Sequence, residues 1–209
     1  EFPMASDDKN AFTLRDSPNE RLGLSGFSVR VGLFRVHLVG GFFDNPTILV
    51  SHAQNHRGML LDLGEVHRFP VRVLNKVTDA FVTHAHTDHF AGFIDLLRSR
   101  VHNGSTCRVF GPRRISDRVE SMVDAFTWDR LADGEGPEFV VGELDGERID
   151  RWRIRAGQPR RRRLESQPAP DGHLVDAPRF TIRACEVDHG TPVLAFTIDA
   201  TTVYANPGQ

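Results

Sequence analysis

Four side chains that can bind a metal ion fall within six residues of this chain, in the order His84-Ala85-His86-Thr87-Asp88-His89. Neutral imidazole is a ligand for zinc, iron or manganese, and a carboxylate adds a hard oxygen donor. The array follows an apolar run, Ala80-Phe81-Val82, which reads as a buried strand ending at a loop. Residues two apart on a strand share a face, so His84 and His86 can address one ion. Phe93, Ile94, Leu97 and Val101 then recur at helical spacing, so a helix is expected from about His89 to Arg100. Ligands split between a strand end and a helix start can serve two neighbouring ions. Such a pair holds both the attacking water and the leaving oxygen of a displacement. The chemistry expected is metal-assisted hydrolysis, with Asp88 as general base. A histidine-rich loop without metal is the bland alternative, and this spacing at a strand end makes it the poorer one.

The elements around the array must aim it. Met59 to Leu63 reads as a strand closed by Gly64. Asp62 at its end either caps a turn or orients a ligand imidazole, as metal-bound histidines usually require. Upstream, Phe27, Val29 and Val31, then Phe34, Val36 and Leu38, alternate as a strand pair or one bent strand, and Ile48-Leu49-Val50 is a further strand. Downstream, Thr106 to Phe110 reads as a strand, and Asp117-Arg118-Val119-Glu120 is compatible with a capping box. Val119, Met122, Val123 and Phe126 trace one helix face. Phe139 to Val141 is a short strand, and Trp152 and Ile154 continue its alternation. Phe180, Ile182, Ala184 and Val187 line a last long strand that ends at His189, and the chain pairs back through Val193 to Phe196 and Thr202 to Tyr204. His52, His56 and His67 read as surface or turn histidines.

The motif array resembles the signature of the metallo-β-lactamase superfamily. The resemblance extends to Asp62-Leu63-Gly64, to Phe110-Gly111-Pro112, and to His189-Gly190-Thr191-Pro192 with Phe196. The last two pieces look most like the ribonuclease Z branch, which trims the 3′ ends of precursor transfer RNA. The fold this implies is α/β, a metallo-β-lactamase-like αββα sandwich, here mainly its N-terminal half with a mixed β-sheet and flanking helices. The resemblance also implies His189 as the third imidazole beside His84 and His86, one or two zinc ions (manganese or iron in their place), and an RNA substrate. It tips Asp62 toward the orienting role. The superfamily completes its site with a bridging Asp and a final His. Near the matching position stand Asn206-Pro207, no histidine follows His189, and Asp199 does not match. The expectation is therefore a domain over 27–209 whose C-terminal part is lacking, or one whose site another chain completes, or one that has lost its second ion. A half-sandwich would leave a sheet face as an apolar patch, so a homodimer or a complementing chain is expected to cover it.

The bulk composition sets bounds on these readings. The chain has 209 residues, 39% of them hydrophobic, enough for one sizeable core. A net charge of −2 makes any polyanion site a local patch. Pro159-Arg160-Arg161-Arg162-Arg163, followed by Pro168, Pro170 and Gly172, reads as a solvated loop. Its functional alternative is a phosphate clamp, because arginine grips phosphate bidentately. No aromatic residue interleaves with the run, so base stacking is not expected there. His173 reads as solvent-facing. Cys107 and Cys185 lie outside any Cys-x-x-Cys pair and read as buried reduced thiols in strands. No membrane-length apolar run and no secretory leader is seen, which points to a cytoplasmic protein. Residues 4–26 read as a loose arm, and Glu1-Phe2-Pro3 ahead of Met4 as a cloning scar.

Overall fold

The computed structural model describes residues 27–40, 44–52, 57–101, 105–132, 135–158 and 160–200. The expectations on the N-terminal arm, His56, the Asn103-Gly104 turn and the segment after Ala200 fall outside these residues. Nine strands form one sheet in sequence order: β1 (Phe27–Val31), β2 (Phe34–Leu38), β3 (Ile48–His52), β4 (Gly58–Leu61), β5 (Val77–Phe81), β6 (Cys107–Gly111), β7 (Glu138–Asp145), β8 (Arg148–Arg155) and β9 (Arg162–Pro168). The pairs from β4 to β7 are parallel and the flanking pairs are antiparallel. A second, antiparallel sheet comprises β10 (His173–Ala177), β11 (Phe180–Val187) and β12 (Val193–Ala200). Four helices complete the described chain: α1 (Val71–Leu74), α2 (Thr87–Phe90), α3 (Phe93–Arg100) and α4 (Ile115–Asp124).

Strands buried on both faces read as unbroken apolar runs rather than alternations. That explains β5, in which Ala80 joins the core under the helices and Phe81 the core under the small sheet. On the first face Leu60, Val82, Val109 and Val141 meet Phe93, Leu97, Ile115 and Val119. On the second, Phe81 stacks on Phe110 at 5.3 Å and meets Phe196 edge-on at 5.6 Å. Phe34 meets Phe180 at 5.4 Å in the same way. The result is three layers, helix on sheet on sheet, and the α/β class with a mixed sheet is what the sequence implied.

Several local expectations are corrected. The small sheet covers the face that was expected to lie open. Its own outward positions carry Thr181, Arg183, Thr197 and Asp199 rather than an apolar patch, with Arg183 paired to Asp199 at 2.7 Å. The helix after the array is two pieces, because it breaks at Ala91-Gly92, and Ile94 points outward while Leu96 is fully buried. Asp117 does not cap α4. The helix starts two residues earlier, and the buried Glu143 carboxylate accepts the N–H of Ser116 (2.9 Å) and its hydroxyl (2.5 Å). Phe139 to Val141 lies in the first half of an eight-residue strand. His52 is buried against Phe34, Cys185 is exposed, and only Cys107 is a buried thiol, with burial pushing its pKa up to about 12. His173 opens β10 with Nδ1 2.6 Å from the Pro170 carbonyl, in place of a free loop.

Candidate metal centre

The array sits where the parallel strands end. β5 stops at Phe81, and the chain passes through Thr83 and His84 to His86, the residue before the first turn of α2. Alongside, β4 ends at Leu61, and the next residue, Asp62, has a φ of 56° that places it in the left-handed region that costs a non-glycine residue energy. Its N–H is tied to the Phe81 carbonyl at 2.8 Å. Next, Leu63 donates to the His89 carbonyl (2.8 Å) and accepts from the Gly92 N–H (2.7 Å), so the two segments are laced together. A Cβ on Gly64 would collide with the Asp88 carbonyl, and one on Gly92 with the Leu63 carbonyl. The glycine of Asp62-Leu63-Gly64 is thus the condition for bringing Asp62 against the array.

What Asp62 does there is plain from its contacts. The residue is 6% exposed, and its carboxylate takes the Thr83 N–H at 2.7 Å. Oδ2 lies 2.8 Å from His89 Nδ1, and both oxygens lie 3.0 Å from the Thr83 hydroxyl. That hydroxyl is 2.9 Å from His84 Nδ1. One consistent proton arrangement follows: His89 Nδ1–H donates to Asp62, His84 Nδ1–H donates to Thr83, and Thr83 O–H donates to Asp62. Both imidazoles then present an unprotonated Nε2. Burial holds the His84 pKa below the ordinary value, with His89 and His86 adding to the effect, so its ring is neutral at neutral pH. Burial pushes the Asp62 pKa up, against the pull of the Thr83 N–H and His89.

The free nitrogens converge in pairs. His84 Nε2 is 2.9 Å from His86 Nδ1, and His89 Nε2 is 3.4 Å from Asp88 Oδ2. Two ligands on one tetrahedral zinc ion at 2.0–2.1 Å stand roughly 3.4 Å apart. Each pair therefore fits one edge of an ion's coordination shell after little or no movement. His189 follows β11, is exposed, and has its ring 5.8 Å from that of His84. Its strand pair is pinned to the array by the Leu194 N–H, which reaches the Thr83 carbonyl at 2.9 Å. Among the described residues, no three His, Cys, Asp or Glu side chains converge as a closed cage. The structure thus gathers His84, His86, Asp88, His89 and His189 at one strand-end rim, with Asp62 beneath.

Only the first half of the arginine run, Arg160 and Arg161, lies outside a strand. Arg162 and Arg163 open β9, and the run splits between two faces of the sheet. Arg161 donates to Asp117 (2.5 Å) and Glu120 (3.1 Å) on α4 and lies 5.6 Å above the Trp152 ring, with Arg163 6.0 Å from the same ring. An aromatic residue does therefore interleave with the run, supplied by the neighbouring strand. Arg160 and Arg162 are exposed and have no ion pair among the described residues. Sequence reading missed Thr83, although it stands inside the motif, because its role depends on Asp62, 21 residues away.

No family model and no curated protein matches the chain. Solved structures similar in fold include the short form of human tRNase Z, at 16% identity over 75% of this chain and 57% of that one, with a TM-score of 0.46. They also include the metallo-beta-lactamase fold protein YhfI from Bacillus subtilis, at 16% identity over 74% and 50%, TM-score 0.44. A third is a diphosphatase of the PhnP family, at 14% identity over 74% and 49%, TM-score 0.43. All three belong to the superfamily that the motifs resemble. The chain spans about half their length. The likeness is one of fold, and the chemistry of this chain rests on its own residues.

Proposed function

We propose that this chain is a metal-dependent phosphodiester hydrolase acting on RNA. His84, His86 and His189 would hold one ion, and Asp88 and His89 a second. The observation that carries this reading is the convergence of His84 Nε2 on His86 Nδ1 at 2.9 Å, with the opposite edge of the His84 ring held through Thr83 to buried Asp62. Imidazole with carboxylate suits zinc, with manganese or iron as alternatives. A bound zinc ion supplies water acidified to a pKa of about 7. Asp88, whose side chain is 53% exposed beside His89, would take the proton of the attacking water at a carboxylate oxygen. Thr83 and Asp62 would hold two rings in their ligating tautomers. Replacing Asp88 by Asn should abolish hydrolysis of a generic phosphodiester and leave the melting temperature unchanged. Turnover that survives would remove Asp88 from this role.

A thioester, a lactone or a small phosphodiester is the alternative substrate class, since one fold hosts many reactions. An inactive metal-binding half-domain is favoured by one observation, the lack of a closed three-ligand cage among the described residues. The same observation motivates a homodimer or complementing chain that brings further donors. Among the described residues no helix is long and apolar enough to cross a membrane. A cytoplasmic location belongs to this proposal as well.

A further inference from the structure

The large sheet is wider than the small sheet that covers it. The apolar side chains packed under β10–β12 lie on β2 to β6 and at the β7–β8 hairpin end, at Phe34, Met59, Phe81, Phe110, Leu144 and Ile149. The same face continues past that cover across β6 to β9. Strand register places Asp79, Arg108, Val140, Arg153 and Arg162 side by side in one lateral row. Arg151 stands one step further along the same face of β8, and Arg155 one step back. Two carboxylates answer them. Asp79, 1% exposed, takes Arg57 at 3.0 Å and Arg108 at 2.5 Å, and Glu138 is bound by Arg155. Arg153 reaches Glu138 only at 3.8 Å, and Arg151 and Arg162 have no ion pair among the described residues. Among the described residues, a chain of net charge −2 thus gathers weakly paired guanidinium on a part of the sheet face that β10 to β12 do not cover.

We propose that Arg151, Arg153 and Arg162 form a track for the phosphodiester backbone of single-stranded RNA. Guanidinium forks match phosphate bidentately, and a row of them along a sheet suits a polymer rather than one small anion. The row sits about five residues below His84 along β5. At about 3.3 Å per residue along the strand and about 4.8 Å per strand across to β8 and β9, the three arginines lie roughly 17–25 Å from His84. A small ester bound at the histidines cannot reach the arginines, whereas a strand of several nucleotides can reach both. The track rests on the hydrolase reading above and deepens it by naming where the backbone of the RNA would lie.

The test uses the full chain and its Arg151→Gln/Arg153→Gln/Arg162→Gln variant, with a charge-keeping triple lysine variant as control. Binding of a labelled RNA 15-mer, a DNA 15-mer and polyglutamate is followed across salt concentration, and turnover of bis-p-nitrophenyl phosphate is measured in parallel. The expected result is RNA binding weakened about tenfold or more in the glutamine variant, with the salt slope reduced by roughly 2. The lysine variant should keep most of the binding, and turnover of the small diester and the melting temperature should stay unchanged. RNA bound equally by the wild type and the glutamine variant would overturn the track, and so would polyglutamate bound as tightly as RNA. DNA bound as tightly as RNA would overturn the restriction to RNA. Absence of diester turnover in the wild type would sink the hydrolase reading, while the binding result judges the track separately.

Discussion

A single hydroxyl links the two candidate ion pairs at the rim. Thr83 connects the His84 ring to Asp62, and Asp62 holds the His89 ring directly. A carboxylate that orients ligands is worth about 10- to 100-fold in metal affinity, and a hydroxyl relay to it should carry a similar weight for His84. Thr83→Val keeps the β-branched shape and removes the relay, whereas Thr83→Ser keeps the relay. Zinc affinity should fall about 10- to 100-fold in the valine variant and stay within about threefold in the serine variant. Nitrogen chemical shifts of the metal-free protein should show His84 losing its Nδ1–H preference only in Thr83→Val. Unchanged affinity and an unchanged tautomer would contradict the relay. At this scale the ligands were legible because their types and spacing form a local pattern. Thr83 was not, because a hydroxyl takes its meaning from partners brought in by another strand.

Elements were legible where burial imposes a period and illegible where partners override composition. β5 announced itself by the apolar run Ala80 to Val82, and β11 and the β1–β2 pair by alternation. The 159–172 segment read as a loop because proline and arginine are poor strand signals. In the structure Arg162 to Pro168 pairs with β8, and neighbouring Arg161 is held to α4 by Asp117 and Glu120. Local composition carries no trace of a contact made 44 residues away. The same pair makes a pH-dependent prediction. Burial raises the Asp117 pKa, but the guanidiniums of Arg114 and Arg161 outweigh it and hold the carboxyl below its ordinary value. A depressed folded pKa gives stability that is full above the ordinary carboxylate value and lost as pH falls through the folded one. Asp117→Asn should therefore cost about 0.5–1 kcal/mol at pH 7 in urea unfolding, and the two proteins should converge as pH falls below the ordinary carboxylate range. A gap of equal size at pH 7 and below that range would mean that packing, not charge, ties β9 to α4.

Taken whole, the molecule puts its chemistry at one end of a three-layer stack, which is where parallel strands deliver their loops. The α/β class with a mixed sheet followed from the sequence, but the cover of the second face did not, because β10 to β12 close a face that was expected to lie open. The charge distribution did not, because the arginines of β6, β8 and β9 become one surface only after the register is set. The central claim is that the rim binds metal through this chain's own histidines. Metal content per chain, measured by mass spectrometry on protein purified without added metal and paired with its mass in solution, tests that most directly. At least one zinc per chain is expected in the wild type, and a His84→Ala/His86→Ala variant with the same melting temperature should lose it. A count of two should accompany a dimer or a bound partner that supplies the remaining donors. A wild type that stays metal-free after incubation with excess zinc, or a double variant that carries as much zinc as the wild type, would contradict the account.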